Sequence, residues 1–140
     1  MSSKQILITH LPDGWYEVDQ PADWKKMWEE RHGDLVPVPR VFQHNDGRSA
    51  LLGWEPYAED DWRWHISVRH GDIGVDGRIP TWEQLVNTAH DLRPGVPFVL
   101  GIPPKSWWMN SHPHVLHLIQ TKDDNMIENW RKNRRGHEPS

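Results

Sequence analysis

The sequence predicts one α+β domain, in which a small and mostly antiparallel sheet packs against two or three helices. The chain has 140 residues, the size of a single domain with one core. Residues 62–69 alternate strictly between apolar and polar side chains, as a strand does when one face of its sheet is buried. Residues 22–32 and 82–92 carry helix start and stop signals. We expect the main strands near residues 4–9, 62–69, 96–102 and 114–119.

The beginning of the chain predicts a hairpin followed by a helix. The apolar run 4–9 ends at a Pro-Asp-Gly turn signal, and 15–18 is a candidate return strand. The helix at 22–32 starts at a proline and is followed by a glycine, which is the usual asymmetry of helix ends. Trp24 and Trp28 share one face of this helix, so we expect it to dock through these two indoles.

Two prolines determine which kind of strand we expect in residues 36–43. Residues 36–43 are extended, and their two prolines favour an edge strand or an irregular strand, because each proline lacks a backbone donor. Residues 49–54 form a short apolar piece. The acidic segment 55–61, which contains a further proline, predicts a loop.

The strand at 62–69 has one apolar and one polar face. We expect the apolar face to be core and the polar face to be solvated, as is common in half-buried antiparallel sheets. The alternative is that the polar face lines a site for an anion or another polar ligand. The polar side chains are Arg63, His65, Ser67 and Arg69.

The helix at 82–92 has a complete set of sequence signals at its start. Thr81 and Gln84 have the spacing of a capping box, in which each side chain bonds the backbone of the other. Residues 93–95, Arg-Pro-Gly, end the helix, and the buried strand 96–102 follows.

A final helix is predicted to begin at Asp123 or Asp124 and to end in a basic segment. This basic end is interpreted as cations placed favourably at a helix C-terminus and continuing into a solvated tail. The alternative is contact with nucleic acid or another phosphate-bearing partner. The cations concerned are Arg131, Lys132, Arg134 and Arg135.

The composition excludes several classes of protein. A formal charge of −4 argues against a protein whose main partner is the nucleic-acid backbone. The chain has no cysteine, which excludes thiol chemistry and disulfides and suits a reducing cytosol. The N-terminal apolar run is too short for a signal peptide or a membrane span, so we expect a cytoplasmic protein. The ten tryptophans are interpreted as rings that cover a thin sheet, with an aromatic binding face as the alternative.

Three histidines in the stretch 103–119 invite a metal site, but their spacing does not favour one. On a strand, His112 and His114 face one side and His117 faces the other, and no acidic ligand lies nearby. We therefore predict no metal and no cofactor.

The same histidines allow an acid–base hypothesis. His65 pairs with His112 or His117 in this hypothesis, because imidazole titrates near neutral pH. The motifs of two-histidine phosphoesterases and of histidine-triad hydrolases are matched only in part. The competing interpretation is structural: Asn110 and His112 satisfy backbone groups at a loop, and His117 is a hydrogen-bonded core histidine.

Ligand or partner binding is the third hypothesis for this stretch. It uses two adjacent tryptophans and the cations and amide around them. The candidate residues are Arg63, Lys105, Trp107, Trp108 and Asn110.

Five short blocks in residues 62–120 together resemble a family of small proteins encoded by bacteriophages and prophages, a domain of unknown function. The blocks are Trp64-His65-Ile66-Ser67-Val68, Pro80-Thr81-Trp82-Glu83, Pro103-Pro104-Lys105-Ser106, Asn110-Ser111-His112-Pro113 and Leu116-His117-Leu118. The resemblance implies a phage accessory protein made in the host cytoplasm, with no established activity to transfer. It also implies that 1–61 and 121–140 are additions to the family-like core.

The family pattern separates the candidate residues into two groups. His65, Asn110, His112 and His117 stand at matching motif positions, whereas the pattern has other residues in place of Trp107, Trp108 and His114. Our leading expectation is a non-enzymatic protein that binds a host or phage macromolecule, most simply a protein. The alternative is a small hydrolase or nucleotide-binding protein that uses His65, His112 and His117 with Arg63 or Arg69, and hence binds a small anionic ligand.

Overall fold

The computed structural model describes residues 10–71, 78–101, 114–123 and 125. Within these ranges the chain forms six strands and two helices around one sheet, so the predicted α+β class is confirmed. In chain order the elements are β1 (Trp15–Val18), α1 (Ala22–His32), β2 (Arg40–His44), β3 (Arg48–Ala58), β4 (Asp61–His70), α2 (Trp82–Leu92), β5 (Phe98–Gly101) and β6 (Leu116–Gln120). The predicted strand 4–9 and the predicted final helix lie outside the described residues.

The sheet has the strand order β1-β2-β3-β4-β6-β5, and every neighbouring pair is antiparallel. The long β3–β4 hairpin forms its centre. Because β6 pairs with both β4 and β5, the chain after α2 adds two strands to the side of β4 that β3 leaves open.

The predicted loop at 55–61 was wrong, because most of this segment belongs to β3. Glu55 is buried and lies directly opposite Arg63 in the register of β3 and β4. Pro56 lies beyond the part of β3 that pairs with β2, which ends at Leu52, and next to an irregularity in the register. A proline is tolerated at such a place because it interrupts no ladder on that side.

The expectation of an edge or irregular strand at 36–43 was also wrong. The strand β2 begins at Arg40, after both prolines, and lies between β1 and β3. Residues 15–18 form a strand as expected, but the partner that the structure shows is β2.

One face of the sheet packs against α2 and contains the larger apolar cluster. Thr81 and Gln84 form the predicted capping box, in which the Gln84 backbone N–H donates to the Thr81 hydroxyl oxygen over 3.1 Å. Leu85, Ala89 and Leu92 form a buried stripe along α2. It contacts the apolar side of the inner strands, which includes Phe42, Ala50, Leu52, Ile66, Val68 and Leu118.

The opposite face of the sheet is covered in part by α1. Trp28 is buried against Val36 and Leu51, and its indole nitrogen donates to the Val36 carbonyl oxygen over 3.0 Å. The Trp24 ring lies 5.7 Å from the Trp28 ring and is half-buried. The helix therefore docks through its two indoles as predicted, and mainly through Trp28.

Candidate functional site

The polar side of β4 is buried. His65, Ser67 and Arg69 are 3%, 4% and 2% exposed, so the expectation of a solvated face was wrong. Alternation of side chains along a strand reports which residues share a face, whereas burial depends on what packs over that face. Because β4 lies between β3 and β6, it is an inner strand, and both of its faces are buried over 65–69.

The register of β4 and β6 brings a serine and a histidine into direct contact. Ser67 lies opposite His117, and the Ser67 Oγ is 2.9 Å from the His117 Nδ1. His117 is half-buried, so the Ser67–His117 pair lies between the core of the sheet and its surface. This is the distance of a hydrogen bond between a hydroxyl and an imidazole nitrogen.

The structure also places His65 on the same face as His117. His65 lies opposite Ile119, two residues along β6 from His117. Such diagonal positions are separated by about 7–8 Å or less in antiparallel sheets. Two of the three histidines of the acid–base hypothesis are therefore neighbours, and the third, His112, lies outside the described residues.

Burial makes His65 a neutral side chain at physiological pH. Its pKa is lowered from 6.5 to about 4, mainly by desolvation and to a smaller extent by the charges of Arg63 and His117. A neutral imidazole has one nitrogen that donates and one that accepts a hydrogen bond. His65 therefore adds polarity to this face without adding charge.

The strand β3 contributes two more buried polar residues to this face. Ser49 lies opposite Arg69, and its hydroxyl donates to the Gly71 carbonyl oxygen over 2.8 Å. Glu55 is fully buried opposite Arg63. We call the whole group the polar cluster; it consists of Ser49, Glu55, Arg63, His65, Ser67, Arg69 and His117.

Arg63 lies at the partly exposed end of the polar cluster, where several contacts fix it. Its guanidinium donates to an Asp61 carboxylate oxygen over 2.9 Å and to the Gln120 carbonyl oxygen over 3.2 Å. It also lies 3.8 Å from the centre of the Tyr57 ring. The Arg63 hydrogen bond is the main cause that lowers the pKa of Asp61.

Of the remaining candidates, the structure describes only His114. His114 is exposed and precedes β6, and it takes no part in the Ser67–His117 contact. Within the described ranges, no group of three or more potential ligands is arranged to hold a metal ion. The candidates that lie outside these ranges are Lys105, Trp107, Trp108, Asn110, His112, Arg131, Lys132, Arg134 and Arg135.

Sequence reasoning gave two members of the polar cluster too little weight. Ser67 was named only as a hydroxyl on a polar face, although its spacing of two from His65 places both on one side of a strand. Glu55 lies in a segment whose proline and acidic residues predict a loop. Residues 51–54 are all apolar or glycine, so no alternation in the sequence identifies Glu55 as a strand residue.

The tryptophans that the structure describes are core residues. Trp15 and Trp28 are buried, and the other five are half-buried, so none of these seven forms an exposed aromatic surface. The interpretation of tryptophans as rings that cover the sheet accounts for Trp15, Trp24, Trp28, Trp54, Trp62, Trp64 and Trp82.

Fold and site together define a class: an α+β protein whose antiparallel sheet has an apolar cluster under one helix and a polar cluster on its other face. No protein-family model, curated protein or solved structure matches the chain. Over the described residues, neither helix has the length and apolar character needed to cross a membrane.

Proposed function

We propose that the protein binds a small anionic ligand at the polar cluster. The observation that supports it is the burial of two ionisable side chains of opposite sign, Glu55 and Arg69, together with His65 and Ser67 at the centre of the sheet. Burying charge is costly, and apolar side chains of similar volume often stabilise a fold as well or better. Clusters of buried titratable groups are accordingly enriched at functional sites.

The cation of the polar cluster that would bind an anion is Arg69. Arg63 is paired with Asp61 and lies six residues away on β4, and His65 is neutral near pH 7. Guanidinium groups bind carboxylate and phosphate oxygens through two parallel hydrogen bonds. The hydroxyl of Ser67 and the donor nitrogen of His65 supply shorter-range contacts on the same face. The ligand class is therefore a small molecule that carries a carboxylate or a phosphate.

Entry to the site is expected from the side of His117. This residue is half-buried, whereas His65, Ser67 and Arg69 are buried. A ligand that enters there first meets the His117 imidazole and the Ser67 hydroxyl bonded to it.

Titration with inorganic phosphate, and separately with acetate, tests this proposal. We expect saturable shifts of the His65 and His117 imidazole NMR signals in the wild-type protein. Arg69→Lys keeps the charge but loses the paired donors, so phosphate binding is expected to weaken roughly tenfold.

The matched control is Arg40→Gln, which removes an arginine of β2 that is paired with Glu17 of β1. Phosphate binding in this variant should equal that of the wild-type protein. The proposal is wrong if neither anion shifts the two imidazoles, or if Arg40→Gln weakens binding as much as Arg69→Lys does.

The resemblance of residues 62–120 supports a second proposal, a phage accessory protein that acts in the host cytoplasm by binding a host or phage protein. The seven described tryptophans lend it no support, because they belong to the core. It depends instead on Lys105, Trp107 and Trp108. A host lysate in which the wild-type protein and a Trp107→Ala, Trp108→Ala double variant capture the same proteins would contradict it.

A further inference from the structure

We propose that Ser67 and His117 form a nucleophile–base pair that hydrolyses small anionic carboxylic esters. This inference rests on the proposed anion site, since that site would hold the charged end of the substrate. The geometry that carries it is the 2.9 Å contact between the Ser67 Oγ and the His117 Nδ1 on neighbouring inner strands. A hydroxyl within hydrogen-bond reach of an imidazole is the arrangement that activates serine nucleophiles.

The two strands hold the pair without help from a loop. Ser67 and His117 are opposite each other in an antiparallel ladder that continues on both sides, from His65–Ile119 to Val68–Leu116. The strand β4 is also paired with β3, and β6 with β5, so neither partner is an edge strand. A site built on inner strands keeps its geometry better than one built on loops.

The tautomer of His117 sets the direction of its hydrogen bond with Ser67. When the Nε2 of His117 carries the ring proton, Nδ1 is an acceptor, and the Ser67 hydroxyl donates to it. The buried His65 beside the pair is neutral near pH 7, because desolvation lowers its pKa to about 4. It therefore adds no charge that would oppose the imidazolium formed at His117 during the reaction.

The reaction has two half-steps. In the first, the Ser67 Oγ bonds to the ester carbonyl carbon, its proton passes to the His117 Nδ1, and the bond from this carbon to the alkoxide leaving group breaks. The leaving oxygen takes the proton from Nδ1 and departs as an alcohol. In the second, water attacks the acyl-serine and gives a proton to Nδ1; the bond to Oγ breaks, and Oγ recovers that proton. The products are an alcohol and a carboxylic acid.

The spacing along β4 sets the size of the substrate. Arg69 follows Ser67 by two residues on the same buried face, a separation of about 7 Å along a strand. An ester with a carboxylate a few bonds from its carbonyl carbon spans this distance. Half-esters of short dicarboxylic acids are the substrate class that fits.

Acylation by two chromogenic esters tests the inference: 4-nitrophenyl acetate and the 4-nitrophenyl half-ester of glutaric acid. We expect a stoichiometric burst of nitrophenol with wild-type protein and one added acyl group, located on Ser67 by mass spectrometry of peptides. The glutaric half-ester should react faster than the acetate. Ser67→Ala should abolish the burst, and His117→Gln should slow it by roughly a hundredfold.

Thr88→Ala is the matched control, because Thr88 is a buried hydroxyl on α2, outside the polar cluster. Its burst should equal that of the wild-type protein. If acylation is absent, falls only on lysines, or is lost equally in Thr88→Ala, the inference is overturned.

A thiol variant keeps the test decisive if Ser67→Ala does not fold. Ser67→Cys preserves size, and its alkylation by iodoacetamide should be faster than that of the Ser67→Cys, His117→Gln double variant. Equal rates would show that His117 does not act as a base towards residue 67. Phosphate binding without acylation of Ser67 would overturn this inference alone, whereas acylation without phosphate binding would overturn only the proposed anion site.

Discussion

Lowering the pH from 7 to 4.5 is expected to reduce the free energy of unfolding by about 2.5 kcal/mol through His65. The pKa of this side chain is about 4 in the folded protein, against 6.5 for a free histidine. Between these values the unfolded chain binds a proton that the folded protein does not, so acid favours unfolding. The stabilisation is complete above pH 6.5 and is lost as the pH falls towards 4.

Urea unfolding at several pH values between 7 and 4.5 measures this effect. His65→Gln removes the titrating group while keeping a polar side chain, so its free energy of unfolding should depend much less on pH. The window avoids the carboxyl groups of Glu17, Asp46 and Asp61, whose pKa values are lowered in the folded protein. Their stabilisation is present above about pH 4.5 and disappears only at lower pH.

The control for this prediction is His90→Gln, because His90 has a side chain that is 75% exposed on α2. Its pH dependence should match that of the wild-type protein. A His65→Gln variant that loses stability with acid as steeply as the wild-type protein would show that His65 is not held neutral by burial.

Trp28→Ala is expected to destabilise the protein by about 3–5 kcal/mol. Trp28 is 2% exposed and is the largest side chain of the apolar cluster between α1 and the sheet. Its loss leaves a cavity and removes the donor to the Val36 carbonyl oxygen. Against a total stability of about 5–15 kcal/mol for a domain, this is a large fraction.

Denaturant unfolding followed by far-ultraviolet circular dichroism measures the cost without depending on tryptophan fluorescence. Trp28→Phe keeps most of the apolar volume and loses the hydrogen bond, so it should cost less than Trp28→Ala. Trp24→Ala should also cost less, because Trp24 is only half-buried. Equal costs for Trp24→Ala and Trp28→Ala would contradict the assignment of Trp28 as the main anchor of α1.

Local signals predicted the helices and the central strand well. The capping box at Thr81 and Gln84, and the alternation over 62–69, are properties of neighbouring residues, and such properties are present in the sequence itself. The segment 55–61 was misread because proline and acidic residues usually indicate loops. In the structure a cation opposite Glu55 and the short reach of β2 make a strand compatible with these residues.

The candidate site was only partly predictable. His65, Arg63 and Arg69 were identified from the alternation of β4, and His117 from its place in a histidine-rich stretch. Which residue of β6 lies opposite Ser67 depends on the register of two strands separated by about fifty positions in the chain. A slip of one residue would turn His117 to the other face, and no local pattern excludes that slip.

The sequence by itself determined that 62–69 is a strand with one polar face, that 22–32 and 82–92 are helices, and that no cysteine chemistry operates. Only the tertiary structure decided that the polar face is buried and that Ser67 meets His117. The physical reason is that polarity and periodicity belong to single elements, whereas burial and register arise from the packing of several. The change in the pKa of His65 follows from that packing, and so does the proposed chemistry at Ser67.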